Sequence, residues 1–308
     1  MSSHLRKSIF WVGFSLLFLG LIILGLNFWL QPQPGRTNFL VLGVAGENHS
    51  GGDLTDSIIF VSLENQTGKT LVLSLPRDIW VAPLRTKLNS VYHYEGMEET
   101  KKAVGEILGQ KTDYSLVVDF NLFTKMVDFL GGVEVEVERS FDDHKYPLAG
   151  RENDLCNGDP EYKCRYESIH FEAGKQTMNG DQALKYVRSR NAEGEEGTDF
   201  ARSQRQQRLL AAIKKRVFTP SVILNPKKMI GLWRLVNANI RTDIPQEKYG
   251  DLLKIALKMK GNKLKTASLN GNFLVNPPTN KQKYDNQWVL VPKAGDWSEI
   301  QQYLQSLL

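Results

Sequence analysis

The most apolar part of this chain is SIFWVGFSLLFLGLIILGLNFWL, which covers residues 8–30 and contains no charged residue. Its 23 residues exceed the roughly 20 apolar residues that a helix needs to cross a bilayer. It is too long for the apolar region of a typical cleaved signal peptide, and no clear small-residue cleavage site follows it. A helix that packs on the core of a soluble protein normally keeps a polar face toward water, which this run lacks. We therefore predict one transmembrane helix here, an uncleaved signal anchor.

The charges beside this run predict its orientation. His4, Arg6 and Lys7 precede it, whereas only Arg36 follows closely. Positive residues accumulate on the cytoplasmic side of a membrane span, so the N-terminus is expected in the cytosol. The predicted divisions are residues 1–7 in the cytoplasm, 8–30 in the membrane, 31–37 as a linker and 38–308 as one extracytoplasmic domain. The sequence thus predicts a single-pass protein of the cell membrane.

The rest of the chain interleaves apolar strands with helical patterns. SIIFVSL and TLVLSL are joined by a short turn, which predicts an antiparallel hairpin, and VEVEV alternates strictly. Strands are predicted at residues 38–44, 57–63, 70–75, 114–120, 133–137, 264–269 and 288–291. Helices are predicted at residues 98–108, 122–130, 180–186, 199–217, 229–236, 247–259 and 297–308, and a long loop at 140–170. We predict an α/β fold, an αβα sandwich with a mixed central β-sheet.

The two cysteines of the chain, Cys156 and Cys164, lie eight residues apart in the polar segment DLCNGDPEYKC. Outside the cytoplasm a disulfide persists. The alternative is a metal site, but no histidine or third cysteine lies close by in the sequence. We favour a disulfide that staples the loop.

Several arginines crowd into the segment YVRSRNAEGEEGTDFARSQRQQ. Arg188 and Arg190 point the same way if the chain is extended, because alternate residues share a direction. A helix that begins near Asp199 places Arg202 and Gln206 one turn apart on one stripe. Arginine forks bind phosphate and carboxylate groups bidentately. The segment therefore predicts a phosphate or diphosphate site, with a solvated basic helix as the alternative.

Further polar residues stand in loops near the ends of predicted strands, where α/β proteins bind ligands. Asp53 and Asp56 precede the second strand and offer oxygen ligands for Mg²⁺. Alternatively, Asp56 caps the strand and Asp53 is a solvated loop acid. Arg77 follows the third strand, and Lys87 lies in the next loop. Together with the arginine-rich segment, these residues predict a diphosphate held by cations and a magnesium ion.

The order of these segments resembles the LytR-CpsA-Psr family of membrane-anchored cell-wall proteins. The matching pieces are NFLVLGV, LTDSIIFVSL, LSLPRD, KLNSVY, MNGDQALKYVRSR and DFARSQRQQ. The resemblance covers roughly residues 38–308. It implies an αβα sandwich, a polyprenyl-phosphate site and an enzyme that transfers a lipid-linked glycopolymer onto peptidoglycan.

The same resemblance implies roles for individual residues. It makes Asp56 a magnesium ligand, Gln206 a support for the diphosphate and Asp199 a charged member of the site. The arginines implied to contact the diphosphate are Arg77, Arg188, Arg190 and Arg202. The residues expected to carry the catalysis are Asp56, Arg77, Arg190, Asp199 and Arg202, and we expect the four arginines to gather around one cleft with Asp56.

Two positions depart from the family pattern. Ala45 stands where the family commonly has an aspartate, and Leu54 stands where it commonly has an arginine. Asp53 or Glu47 is the expected replacement for the missing carboxylate. If neither replaces it, a protein that binds the lipid-linked polymer without catalysis is the alternative.

The implied reaction is a magnesium-assisted phosphoryl transfer, in which a peptidoglycan hydroxyl attacks the phosphorus that carries the glycopolymer. A polyprenyl-diphosphate hydrolase needs the same site with water as the acceptor. A membrane-bound DNA-binding regulator is the third alternative to the enzyme. The net charge of the chain is +5, and Arg6 and Lys7 contribute two of these charges. The +3 that remains on the outer part is too small to indicate nucleic acid by itself, and the predicted orientation places the arginines away from the cytosol.

Overall fold

The computed structural model describes residues 34–46, 49, 51–277 and 281–308, without the side chains of Asp199 and Lys281. The predicted membrane span at residues 8–30 and the candidate ligand Glu47 lie outside these residues. In the part of the chain that the structure describes, no helix has the length and apolar character of a membrane span.

The centre of the structure is a six-stranded sheet in the order β11-β6-β1-β2-β3-β12. The strands are β1 (Arg36–Val44), β2 (Thr55–Glu64), β3 (Thr70–Leu75), β4 (Trp80–Val81), β5 (Thr86–Lys87), β6 (Tyr114–Asp119), β7 (Val133–Val137), β8 (Phe141–Pro147), β9 (Tyr166–Phe171), β10 (Gly174–Met178), β11 (Arg241–Thr242), β12 (Leu264–Ser268), β13 (Leu274–Val275) and β14 (Val291–Pro292). β2 is antiparallel to β1 and β3, whereas β1 pairs with β6, and β3 with β12, in parallel. The predicted mixed sheet is confirmed.

The helices are α1 (Leu88–Leu108), α2 (Phe120–Phe129), α3 (Gly180–Arg188), α4 (Asp199–Val217), α5 (Pro220–Ile223), α6 (Pro226–Asn239), α7 (Tyr249–Lys258) and α8 (Ser298–Leu307). They cover both faces of the sheet. Leu40 and Leu42 of β1 pack with Val104 of α1 and Leu304 of α8 in one core. On the opposite face, Val41 borders a cavity that lies between the sheet and helices α2, α3 and α4. This layering follows from the alternation of side chains along a strand.

A second core lies around α3 and α4. It joins the apolar side of β7 and its partner β10 to the β8–β9 hairpin, with Tyr186, Phe141 and Phe171 in mutual aromatic contact. Rings at such offset or edge-on angles add about 0.5–1.5 kcal/mol per pair beyond the burial of their area. This core fixes α4 against the rest of the molecule.

The predicted loop at residues 140–170 is wrong at its two ends, where β8 and β9 pair as an antiparallel hairpin, whereas residues 148–165 between them form a loop. The sequence of β8, FDDHKYP, lacks a regular apolar alternation, and its partner begins only after the intervening loop. The helix predicted from residue 98 in fact begins at Leu88. Gly96 interrupts its pattern with a positive φ of 80° that favours glycine.

The loop between β8 and β9 carries the predicted disulfide. Cys156 and Cys164 are bonded, with their Cα atoms 5.5 Å apart. Arg165 donates from Nε to the carbonyl oxygen of Asp154 at 2.7 Å, which adds a second closure beside the disulfide. The disulfide prediction is confirmed.

Candidate functional site

Two cavities open at the edge of the sheet where β1, β3, β6 and β12 end and β2 begins. The first, here the Phe120 cavity, has a volume of about 460 Å³ and lies between β6-β1-β2 and helices α2, α3 and α4. The second, here the Trp288 cavity, has about 250 Å³ and lies beside β2, β3 and β12. Both include Asp56, Ser57, Arg202 and Gln206 in their walls. Because β2 lies between β1 and β3, the cavities flank these shared residues on two sides.

The start of β2 forms the floor between the cavities. Ser57 pairs with Gly43 of β1, and a Cβ at Gly43 would lie only 3.0 Å from the Ser57 Cβ. Gly43 therefore leaves room that a larger residue would fill. Gln206 of α4 donates from Nε2 to Ser57 Oγ at 2.8 Å and ties the helix to this floor.

Asp56 begins a chain of charged contacts that runs along the Trp288 cavity. Arg77 donates to the Asp56 carboxylate, and Arg77 Nε lies 3.5 Å from Asp78 Oδ2. Asp78 is buried and also accepts a hydrogen bond from Lys87 Nζ at 2.8 Å. Among the described wall residues, neither cavity includes Lys87. Lys87 therefore supports Arg77 through Asp78 in this structure.

The turn after α3 is fixed by Asp143 of β8, which is fully buried. Asp143 Oδ2 accepts from Ser189 Oγ at 2.7 Å and from the backbone N–H groups of Arg190 and Asn191, both at 3.2 Å. A buried carboxylate with three donors holds this turn in one conformation. Sequence reasoning missed Asp143 because it assigned this hairpin to a loop.

Arg188 and Arg190 both line the Phe120 cavity, although Arg188 is the last residue of α3 and not part of an extended segment. The Arg188 guanidinium lies 4.1 Å from the centre of the Phe120 ring and donates to Tyr146 Oη at 3.1 Å. Burial raises the pKa of the Tyr146 hydroxyl, and the positive charge of Arg188 opposes this shift. Tyr146 thus stays a neutral partner that holds the arginine toward the cavity.

Arg205 differs from the other arginines of this segment because its side chain is fully buried. It donates to Glu196 Oε2 at 2.7 Å and to the carbonyl oxygens of Tyr186, Ser189 and Glu196 at 2.7–2.9 Å. Burial lowers the pKa of Arg205, and the Glu196 carboxylate opposes this shift. Arg205 ties α4 to the loop that carries Arg190.

The structure brings the four predicted arginines to the two adjoining cavities. Arg77 lines the Trp288 cavity, Arg188 and Arg190 line the Phe120 cavity, and Arg202 lines both. Arg202 and Gln206 lie one turn apart on α4, as the spacing predicts. Asp199 is the first residue of α4, and its side chain lies outside the described residues.

Asp53 is placed apart from this group. Its carboxylate lies 3.0 Å from Arg241 Nη1 of β11, and both side chains are about half exposed, at 50% and 48%. Among the described wall residues, neither cavity includes Asp53. The structure therefore does not bring Asp53 and Asp56 together in one cavity.

A different carboxylate stands near the position of Ala45. Asp119 ends β6 opposite Val44 in the parallel register and lines the Phe120 cavity with Asp56. A Cβ at Gly46 would lie 3.5 Å from Asp119 Oδ2. The other oxygen, Oδ1, accepts from the Leu122 N–H at 2.7 Å and caps α2. Sequence reasoning missed Asp119, because an aspartate between a strand and a helix is ordinarily read as a cap alone.

The described residues contain one group of three possible metal ligands, namely Asp154, Cys156 and Cys164. The two cysteines are bonded to each other, so this group does not offer thiolates. Asp56 is not part of any such group among the described residues. A metal ion at Asp56 would therefore need oxygen ligands from its substrate in addition to one or two protein carboxylates.

The sequence model of the LytR_cpsA_psr family matches residues 28–306. The chain belongs to this family. The match covers both cavities and every element that lines them.

Three relatives of this LytR_cpsA_psr protein can be compared with it in sequence or in structure. Polyisoprenyl-teichoic acid–peptidoglycan teichoic acid transferase TagV of Bacillus subtilis (strain 168) is 27% identical over 260 residues, which are 82% of this chain and 60% of TagV. The crystal structure of B. subtilis TagV superimposes with a TM-score of 0.64 at 25% identity, covering 89% of this chain and 97% of that one. The match thus spans less than two thirds of the full TagV sequence.

Regulatory protein MsrR of Staphylococcus aureus (strain COL) is 28% identical over 266 residues, which are 81% of this chain and 73% of MsrR. The family protein YwtF (TagT), solved with bound octaprenyl pyrophosphate lipid, has a TM-score of 0.55 at 20% identity and covers 88% of this chain and 89% of that one. This last likeness shows that the fold is shared.

Proposed function

We propose that this protein transfers a polyprenyl-diphosphate-linked glycopolymer onto peptidoglycan by a magnesium-assisted phosphoryl transfer. The observation that carries the proposal is the placement of four arginines in the walls of two adjoining cavities that share Asp56, one of them lined mainly by apolar residues. The name of TagV as a teichoic acid transferase and the lipid diphosphate bound to YwtF support it. With the predicted anchor, the reaction takes place at the outer side of the cell membrane.

The Phe120 cavity suits the prenyl tail. Phe123 and Met126 of α2, Leu184 of α3, and Leu209 and Ile213 of α4 contribute apolar walls. Its volume of about 460 Å³ falls within the roughly 300–1,000 Å³ typical of ligand sites. Each CH₂ group that leaves water for such a cavity contributes about 0.8 kcal/mol. The tail therefore supplies binding energy far from the reacting phosphorus.

The diphosphate would lie where this cavity meets the shared residues. Arg188 would reach it from the end of α3, Arg190 from the loop that follows, and Arg202 from α4. Fixed guanidinium groups stabilise the charge that develops on the leaving lipid phosphate, because they need not reorganise during the reaction. Arg77 holds the Asp56 carboxylate in place at the same junction.

The donor set around this junction fits a magnesium ion. Mg²⁺ typically takes one or two protein carboxylates together with substrate phosphates. Asp56 and Asp119 line the same cavity and would provide these carboxylates. Bound there, the ion would neutralise negative charge on the diphosphate. In this proposal Asp119 takes the place of the carboxylate that Ala45 lacks.

In the proposed reaction, the oxygen of a peptidoglycan hydroxyl attacks the phosphorus that bears the glycopolymer. A new phosphorus–oxygen bond forms, and the bond from that phosphorus to the lipid phosphate breaks. The lipid monophosphate leaves, and the hydroxyl proton passes to a base. Asp56 and Asp199 are the two candidate bases that the sequence offers near the arginines.

Replacing Asp56 or Asp119 by asparagine should weaken Mn²⁺ binding, with Mn²⁺ as a spectroscopic substitute for Mg²⁺, by about tenfold or more. Each change removes a negatively charged ligand oxygen from the same cavity. Electron paramagnetic resonance on the full chain in detergent, with a lipid diphosphate present, measures this affinity without turnover. Asp53→Asn is the matched control and should leave the affinity unchanged, since Asp53 pairs with Arg241. If Asp53→Asn lowered the Mn²⁺ affinity and Asp119→Asn did not, Asp53 and not Asp119 would be the second metal ligand.

The proposed function is tested by turnover of a lipid-diphosphate oligosaccharide with and without a peptidoglycan glycan. The expected result is a phosphodiester-linked glycan and free lipid monophosphate, formed only when the glycan is present. Equal release of lipid monophosphate in both reactions would identify a hydrolase. Tight donor binding with no release in either reaction would identify a binding protein.

A further inference from the structure

Trp288 is more than half exposed, at 56%, and it stands in the wall of the Trp288 cavity. The backbone that carries it is held on both sides: Gln287 N–H donates to the Tyr284 carbonyl oxygen, and Leu290 N–H donates to the Asp78 carbonyl oxygen, each at 2.9 Å. The neighbouring Val289 is fully buried against Trp80. A large aromatic ring is therefore presented to solvent from a fixed support, which lowers the entropy lost when a ligand stacks on it.

The other walls of this cavity combine one more exposed ring with hydrogen-bonding groups. Phe200 of α4 is 49% exposed. Asn270 offers an amide, and the hydroxyl groups of Ser203 and Ser268 lie 2.9 Å apart. Aromatic faces with a few polar groups suit a sugar ring, which has an apolar C–H face and a rim of hydroxyl groups. The volume of about 250 Å³ lies below that of drug-sized sites, so it suits one sugar unit of a longer glycan.

The position of this cavity relative to the Phe120 cavity decides which sugar it takes. In a phosphoryl transfer the attacking and leaving oxygens lie roughly in line through the phosphorus. If the lipid phosphate leaves toward the Phe120 cavity, the attacking hydroxyl must arrive from the opposite side of the shared residues. The Trp288 cavity lies on that side, because β2 with Asp56 and Ser57 separates the β1 and β3 sides of the sheet.

We propose that the Trp288 cavity binds the acceptor sugar of peptidoglycan, with Trp288 as its stacking surface and Phe200 and Asn270 beside it. This inference rests on the proposed transfer reaction, to which it adds the acceptor site. In this proposal Arg202 and Gln206, which line both cavities, lie between the lipid-linked donor in the Phe120 cavity and the acceptor sugar in the Trp288 cavity.

The first test measures binding of a soluble, uncross-linked peptidoglycan glycan fragment to the full chain in detergent by calorimetry. Trp288→Ala should weaken binding about tenfold, as expected for the loss of one aromatic stacking contact. Trp288→Phe should restore most of the affinity. Trp233→Ala is the control, because Trp233 is also about half exposed but packs on Tyr249 outside both cavities. Wild-type affinity in Trp288→Ala, or no binding to the wild-type protein, overturns the proposal.

The second test separates the acceptor from the sugar of the donor. In steady-state transfer, Trp288→Ala should raise the KM for the glycan fragment about tenfold and leave the KM for the lipid-linked donor unchanged. A raised donor KM with an unchanged acceptor KM would assign the cavity to the donor and overturn the proposal. If the wild-type protein turns over no donor yet its glycan binding depends on Trp288, the transfer reaction fails while the glycan site stands.

Discussion

Replacing Arg202 by lysine should lower the turnover number for the lipid-linked donor by about 100- to 1,000-fold, although the positive charge is kept. Arg202 is the one arginine among the described wall residues that borders both cavities. A lysine ammonium is a point charge and lacks the planar fork that binds two phosphate oxygens together. Arginine and lysine have similar helix propensities, so α4 itself should persist.

The kinetics of this variant distinguish a catalytic from a binding role. If the guanidinium contacts tighten in the transition state, kcat falls while the donor KM changes little. Arg208→Lys is the matched control on the same helix, because Arg208 pairs with Glu138 and lies outside the described walls of both cavities. If Arg202→Lys kept more than half of the wild-type kcat, the arginine clamp would not be part of the chemistry.

Arg205→Met should lower the free energy of unfolding by about 3–5 kcal/mol, as is typical when one partner of a buried ion pair is removed. Methionine fills much of the same space but leaves Glu196 Oε2 and three carbonyl oxygens without this donor, while Arg139 still donates to Glu196 Oε1. Urea denaturation of the full chain in detergent measures the change. Arg208→Met, whose side chain is 22% exposed, should cost far less.

The same variant tests whether the buried arginine positions the site. Arg205 touches neither cavity in the described structure, yet its partners Tyr186 and Ser189 flank Arg188. Hydrogen exchange should increase over residues 187–198, and turnover should fall even where the protein remains folded. A stability loss below about 1 kcal/mol would show that this network contributes little.

Much of the sheet and the arginine group could be predicted from the sequence. Three elements, β3, β7 and α4, have the predicted bounds. β3 is a short buried run, β7 alternates strictly between buried and exposed residues, and α4 has a clear helical start. Asp56 lies opposite the end of β1 because β1 and β2 run antiparallel, and the register shifts beside it, between Gly43 and Val44. The arginines follow from the order of segments that the chain shares with its family.

The rest depends on contacts between distant segments. Asp119 reaches its position beside Gly46 only because β6 pairs in parallel with β1, and no local sequence pattern encodes that pairing. Arg202 and Arg205 are three residues apart on one helix, yet one borders the cavities and the other is buried. Which side of α4 is buried is decided by the core around the β8–β9 hairpin, where the sequence predicted a loop.

The face of the central sheet toward α2, α3 and α4 is only partly filled by its own side chains. Gly43 and Ser57 are small, and a cavity remains where the opposite face has a closed core. A ligand that occupies this space at 100 times its dissociation constant would stabilise the fold by about 2.7 kcal/mol. When unfolding and refolding are fast relative to cleavage, the rate of proteolysis follows the fraction of molecules that are transiently unfolded. If the proposed lipid-linked substrate is this ligand, the cellular lifetime of the protein is expected to lengthen when that substrate is abundant and to shorten when its supply fails.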